Sequence, residues 1–432
     1  MRALLAVIVL ASPALAQERP ASAPAPPGPW RPLPSPVAEN EDETAVAVHV
    51  KRALTVSGEP IDDATILVRG GKIAAIGKIV EVPRGVRRVD LSDLVAMPGL
   101  VLAHSRAGLR EGRPATGPGF PRAKDFVDPE APIFREAAAA GVTTLALVPP
   151  GARGFLGLAT VVRPRGATVE EMIRRDDAYV AALFEASTSG KDAFRKDLDK
   201  AREEMEKASR PASAPAASAP ASAPASAPAS APASAPRPRT DPRIETLQAL
   251  LRKEKKLFAQ IAFNVASTAS GAAAEVLHFQ DAVSKFELDS VYVAGQSIAM
   301  SAAAVAESKA AALLVAEEIV FEPYTRNRMS PALTLQRAGV KVGLLPSGDS
   351  RDGYQGWRFK VGELVKMGLP EKEALRAVTL TPAELLGLGD EIGALAPGRE
   401  ADIVFLDGAP FDASTRVRRV MIHGELLRKE EP

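Results

Sequence analysis

The chain reads as strand at both ends and as alternating helix and strand between them. Ala45-Val-Ala-Val-His-Val-Lys, Ala64-Thr-Ile-Leu-Val-Arg and Lys72-Ile-Ala-Ala-Ile-Gly are short runs rich in β-branched residues. Gly70-Gly71 supplies the hairpin turn between the last two. Strand returns at Ala401-Asp-Ile-Val-Phe-Leu-Asp and at Val417-Arg-Arg-Val-Met-Ile-His-Gly-Glu-Leu. In the middle, Phe134 to Ala140 is an alanine-rich helix, Gly141 suits its C′ position, and Val142 to Val148 is an apolar strand. Thr381-Pro382-Ala383-Glu384 combines an N-cap, a proline at the first helical position and a capping-box glutamate. Such alternation predicts parallel α/β packing, and strands at both chain ends predict one small β domain beside it.

Composition narrows the function classes. Lys+Arg number 54 against 53 Asp+Glu, a net charge of +1, so a phosphate backbone meets no basic surplus and nucleic-acid binding is not expected. Cysteine is absent, which excludes disulfides, thiol nucleophiles, Cys-rich zinc sites and iron–sulfur ligation. Residues 1–16 carry a positive start, the apolar run Ala3 to Leu10 and the small residues Ala14-Leu15-Ala16, the order of a signal peptide. That run is too short for a membrane anchor, so export into a bacterial periplasm or beyond is expected, with no membrane span. Residues 17–44 read as a disordered proline-rich tether. Pro211 to Pro236 repeats Ala-Ser-Ala-Pro and offers nothing to bury, so 211–238 is expected to be a disordered surface excursion. Lys191 to Arg210 alternates charge at helical spacing and predicts a solvated helix.

Three stretches carry a resemblance: Val68-Arg-Gly-Gly-Lys-Ile-Ala-Ala-Ile-Gly, the strand Met97-Pro-Gly-Leu-Val-Leu-Ala-His104, and the tail from Leu380-Thr-Pro-Ala-Glu through Ile392-Gly-Ala-Leu-Ala-Pro-Gly-Arg-Glu-Ala-Asp-Ile-Val. They resemble the amidohydrolase superfamily, its imidazolonepropionase-like branch in particular, over about residues 46–210 and 242–427. The resemblance implies an α/β fold: a metal-binding (β/α)8 TIM-like barrel over 99–385, interrupted by the 211–238 insertion. A small β-sandwich made from 45–98 and 386–430 would complete it. The barrel span suits the ~250 residues such a barrel needs.

The resemblance also implies a metal site built of His-x-His at the end of strand one, two further strand-end histidines, and an aspartate at the end of strand eight. Alternate strand residues share a face, so His-x-His grips one metal, which generates hydroxide from bound water. The aspartate would shuttle the proton. Here the first position reads His104-Ser105-Arg106, with a permanent cation at the second ligand position. The strand from Gln260 to Ser267 has no histidine, Ala294 stands before Gly295, and Ser347 stands near the aspartate position. Asp349 and Asp352 lie just beyond, and Asp349 is the candidate catalytic carboxylate if its loop bends back. The chain has 4 histidines. His49 and His423 belong to the end strands and His278 to a helical pattern, which leaves His104 as a vestigial metal ligand. One imidazole without thiolates does not build an ordinary zinc site.

Arg106 and Arg163, with Arg165, are candidates for an anionic ligand pocket. Tyr354-Gln-Gly-Trp-Arg-Phe reads as a loop packing its aromatics, or as a lid. Pro149 to Gly157 lacks the Gly-Lys-Ser/Thr of a phosphate loop. The expectation is an exported amidohydrolase-fold protein with a degenerate metal centre and no cofactor. It would bind a small molecule, or serve as partner to an active relative or to copies of itself. The alternative is a hydrolase of non-peptide or cyclic-amide C–N bonds that uses a divalent metal such as zinc.

Overall fold

A computed structural model describes residues 45–112, 119–185, 187–209, 241–262, 269–316, 320–321 and 325–427. The signal, tether and insertion expected at 1–16, 17–44 and 211–238 lie outside the described residues. The two chain ends do meet. Strands Val46–Ala53 (β1), Ile61–Arg69 (β2), Lys72–Gly77 (β3) and Arg87–Pro98 (β4) join Ile403–Leu406 (β17), Val417–Ile422 (β18) and Glu425–Leu426 (β19). They form one seven-stranded sheet in the order β19-β18-β17-β4-β1-β2-β3. A two-layer sandwich was expected; among the described residues the end strands pair edge to edge into a single sheet instead. Period-two alternation explains how this sheet docks. Ile403 and Phe405 join Val48, Ile66, Ile73 and Met421 in the sheet's own core, whereas Val404 and Leu406 point into the main core.

The middle holds two further principal sheets. Leu100–Ser105 (β5) runs parallel to Val142–Leu147 (β6), and Thr160–Val162 (β8) and Ile173–Arg175 (β9) add antiparallel. Val180–Glu185 (β10), Leu257–Ala262 (β11), Ser290–Ala294 (β12), Ala311–Val315 (β13) and Val342–Leu345 (β16) are consecutive parallel neighbours. Gly154–Leu158 (β7) closes the free edge of β10 antiparallel, and Val320–Phe321 (β14) pairs with Arg328–Met329 (β15). Parallel strands alternating with helices are the expected mixed α/β pattern. Hydrogen bonding around a closed eight-stranded barrel is not found among the described residues. No helix among the described residues is long and apolar enough to cross a membrane.

Local expectations are met with three differences. The predicted alanine-rich helix spans Pro132–Ala139, and Gly141 follows it at φ 94, where a side chain would press on Val404. The charge-alternating helix, Thr188–Ser209, is not solvated all round, because Phe194, Leu198 and Ala201 form a buried stripe. The helix expected to be capped by Thr381 begins two residues earlier, at Leu380; Thr379 precedes it and donates its hydroxyl to the Leu375 carbonyl at 2.6 Å. The Tyr354 to Phe359 stretch is neither loop nor lid. It lies in the helix Arg351–Lys366, with Tyr354, Trp357, Val361 and Leu364 buried at helical spacing.

Candidate functional site

The C-terminal end of β5 collects the polar residues singled out by the sequence. Successive strand residues face opposite ways, so His104 and Ser105 serve different surroundings. His104 turns toward Tyr179 and Gln260. Its Nδ1 lies 3.4 Å from the Tyr179 hydroxyl, which donates to the Ala103 carbonyl at 3.0 Å. Tyr179 is itself fully buried, its ring packed on Phe258, and burial pushes its phenol well above the usual range. Although His104 keeps some surface, enclosure of its ring, and next the charge of Arg106, hold its pKa down to about 4; a hydrogen bond with Gln260 opposes the shift. The imidazole is therefore neutral at pH 7.

Ser105 faces the loop that follows β16, and that loop bends back. The Ser105 hydroxyl donates to Asp349 Oδ1 at 2.8 Å and accepts from the Ala107 amide at 3.0 Å. Asp349 Oδ2 accepts from the Arg106 amide at 2.7 Å, and Oδ1 also accepts from the Tyr354 hydroxyl at 3.1 Å. Burial, followed by the Asp349 charge, raises the Tyr354 phenol. Ser350 then caps the helix Arg351–Lys366, accepting from the Gly353 amide at 3.1 Å. A side chain at Gly353 would collide with the Gly348 carbonyl oxygen, so this return needs glycine. Asp349 thus reaches the strand-one end, as its candidacy required. With three donors on its carboxylate, none of them from His104, it holds the loop to the strand. Asp352 stays exposed in the first turn of the helix, Ser347 is exposed, and Ala294 is buried at the end of β12.

Arg163 belongs elsewhere. Its guanidinium grips both carboxylate oxygens of Glu400, at 3.1 and 2.9 Å. Beside it the buried Arg174 bridges Glu400 at 2.9 Å and Asp402 at 2.6 Å, and the His423 amide donates to Asp402 at 2.8 Å. Arg174 and Arg163 hold Glu400 low despite its burial, while burial raises Asp402. Arg165 pairs with Glu425. The expected anionic pocket of Arg106 with Arg163 and Arg165 is corrected: the latter two clamp the C-terminal segment through carboxylates distant in sequence. Arg106 remains exposed at the end of β5, with no carboxylate in ion-pair range among the described residues.

The four histidines are dispersed. His49 lies between Thr65 and Asp63, His423 beside Glu400, and His278 is exposed on its helix. Around His104 the donor set is one imidazole, one amide and one phenol, with a guanidinium two residues on. No group of three His, Asp or Glu residues poised for a metal occurs among the described residues. This set does not fit a zinc ion, which takes four imidazole, thiolate, carboxylate or water ligands. Nor can the site pair a serine with a histidine, since Ser105 and His104 face apart. Sequence reasoning missed Tyr179, Gln260 and Ser105 as members of this cluster; Tyr354 was marked only as an aromatic.

Residues 278–427 match the model of the Amidohydrolase family. A stretch of 66 residues is 41% identical to adenine deaminase 2 of Jannaschia sp. (strain CCS1), covering 15% of this chain and 10% of that protein. A stretch of 67 residues is 37% identical to the adenine deaminase of Moorella thermoacetica, covering 16% of this chain and 11% of that one. The match therefore spans about a tenth of the length of these curated relatives. The solved amidohydrolase from Thermotoga maritima MSB8 superposes with a TM-score of 0.70 at 22% identity, over 89% of this chain and 100% of that one. A prolidase solved with n-methylphosphonate-l-proline gives 0.52 at 15% identity, over 89% and 100%. At such identities the structural likeness is one of fold.

Proposed function

We propose that this chain, a member of the amidohydrolase superfamily, has lost the metal-hydroxide centre of that fold and works as a ligand-binding or partner subunit. One observation carries the reading. Where the resemblance calls for a second imidazole beside His104 there is a permanent guanidinium, and the neighbours of His104 are the neutral Gln260 and Tyr179. A guanidinium cannot ligate a metal and repels an incoming cation. Asp349, the remaining candidate for proton transfer, is engaged by three hydrogen-bond donors that tie a loop to a strand. Fold alone does not bring the chemistry with it. Export ahead of residue 17, and association with an active relative or with copies of itself, belong to the same proposal.

A second reading is favoured by the family match over residues 278–427 and by the short likeness to adenine deaminases. On it the chain hydrolyses C–N bonds outside peptides with a divalent metal. Turnover separates the two. Purified full-length protein, assayed on adenine and on a cyclic amide with and without added zinc, is expected to give no hydrolysis above the buffer rate. Zinc-dependent turnover that disappears with His104→Ala would establish the second reading.

A further inference from the structure

A cavity of about 530 Å³ opens where the end sheet meets the helix Glu371–Val378. Its walls come from three parts of the chain: the ends of β1 and β4 with the loop after β1, the loop after β17, and that helix. β1 and β4 run parallel, and β4 leads through Gly99 into β5. The cavity therefore lies toward the start of β5, whereas His104 stands near its end. The floor is aliphatic: Leu54, Val56, Val95, Leu375 and Pro410 are buried or half-buried. The wall after β1 is held in place by hydrogen bonds. The Leu54 amide donates to the Ala96 carbonyl at 2.8 Å, the Leu395 amide to the Thr55 carbonyl at 3.0 Å, and the Thr55 hydroxyl to the Glu59 carbonyl at 3.1 Å. Val56 takes φ 67, where a β-branched residue is rare, and its side chain stays buried in the main core. Preformed clefts of this size, between packed units, are where small-molecule sites concentrate.

The charges around that floor set the sign of the ligand. Five carboxylates line the cavity against three cations. Glu59 faces Lys372 at 3.8 Å, Asp62 faces Arg52 at 3.4 Å, and Asp407 is held by Arg418 at 2.6 Å. Asp93 on β4, Glu371 at the start of the helix and Lys51 on β1 have no partner in ion-pair range among the described residues. Counted in full or by the unpaired groups alone, the lining is acidic, which favours a cation. We infer that this cavity binds a small primary aliphatic amine, its chain on the floor and its ammonium at the rim with Asp93 and Glu371. No aromatic ring lines the cavity, so the ammonium is recognised by its N–H donors and not by a cation–π face. That favours a primary amine over a quaternary one. A head group at the exposed rim stays partly hydrated and escapes the full cost of burying a charge. The inference is independent of whether a metal sits beside His104.

The test is calorimetric titration of the full chain with hexylammonium, with neutral hexanol and with hexanoate, at constant ionic strength. Hexylammonium is expected to bind about fivefold more tightly than hexanol, the scale of two exposed ion pairs, and hexanoate more weakly than either. Asp93→Asn combined with Glu371→Gln is expected to erase the preference for amine over alcohol. Lys51→Gln, which removes a like charge, is expected to tighten amine binding by about twofold. Ala409→Trp places a large side chain in the cavity from an exposed position and is expected to abolish binding of amine and alcohol alike. All four side chains are exposed, so the unliganded variants are expected to melt with the wild type. Equal binding of the three probes, binding of none, or an amine preference that survives either the double carboxamide variant or Ala409→Trp would overturn the inference.

Discussion

At the scale of single residues, the site is a set of neutral groups around one imidazole. His104 titrates near 6.5 in the unfolded chain and at about 4 in the folded one. Between those values the unfolded state holds the extra proton, so stability is full above pH 6.5 and falls as pH drops toward 4. His104→Gln removes the effect: between pH 7 and pH 5 the wild type should lose about 2 kcal/mol more stability than the variant in urea unfolding. Equal losses would show that the ring is not enclosed as described. The Asp349 anchor makes a second prediction. Asp349→Asn and Ser105→Ala should each cost about 1–2 kcal/mol, and the double variant less than their sum, because they remove parts of one network; additive costs would contradict a shared network. Much of this was legible in the sequence. The count of histidines singled out His104, and spacing put Arg106 on its face. The arrival of Asp349 depended on a loop returning through Gly348 and Gly353, and the Arg163–Glu400 pair joins residues 237 positions apart. No local pattern encodes either.

At the scale of elements, local propensity was overruled where burial was strong. The stretch Tyr354-Gln-Gly-Trp-Arg-Phe reads as a loop or lid, yet Tyr354, Trp357, Val361 and Leu364 make a buried stripe that stabilises a helix there. The charge pattern of Thr188–Ser209 hid a similar stripe, Phe194, Leu198 and Ala201. The C-terminal segment is locked by Arg174, which is 1% exposed, against Glu400 and Asp402. Removing one side of a buried ion pair leaves the other uncompensated, at about 3–5 kcal/mol. Arg174→Met is therefore expected to destabilise the chain by that amount in denaturant unfolding, and Arg165→Met, at an exposed pair, by less than about 1 kcal/mol. Equal effects from the two would contradict the ranking by burial.

At the scale of the whole molecule, the strand-rich ends and alternating middle foretold which parts of the chain come together. They did not foretell that the ends form a single sheet, because strand patterns do not state which edges pair. The helices Thr188–Ser209 and Pro242–Leu251 touch, with Gln248 donating to the Ala201 carbonyl at 3.4 Å, so the fold itself holds together the two sides of the 211–238 segment. Loop closure depends weakly on length. Exchanging 211–236 for a short Gly/Ser linker should move the melting temperature by less than about 3 °C, and a drop of many degrees would show that the repeat packs on the fold. The central claim is that an amidohydrolase fold here lacks its metal. Elemental analysis of the full chain, purified without chelator and dialysed against zinc, tests it most directly. The account predicts far less than one metal ion per chain, unchanged by His104→Ala; one tightly held ion per chain that disappears with His104→Ala would contradict it.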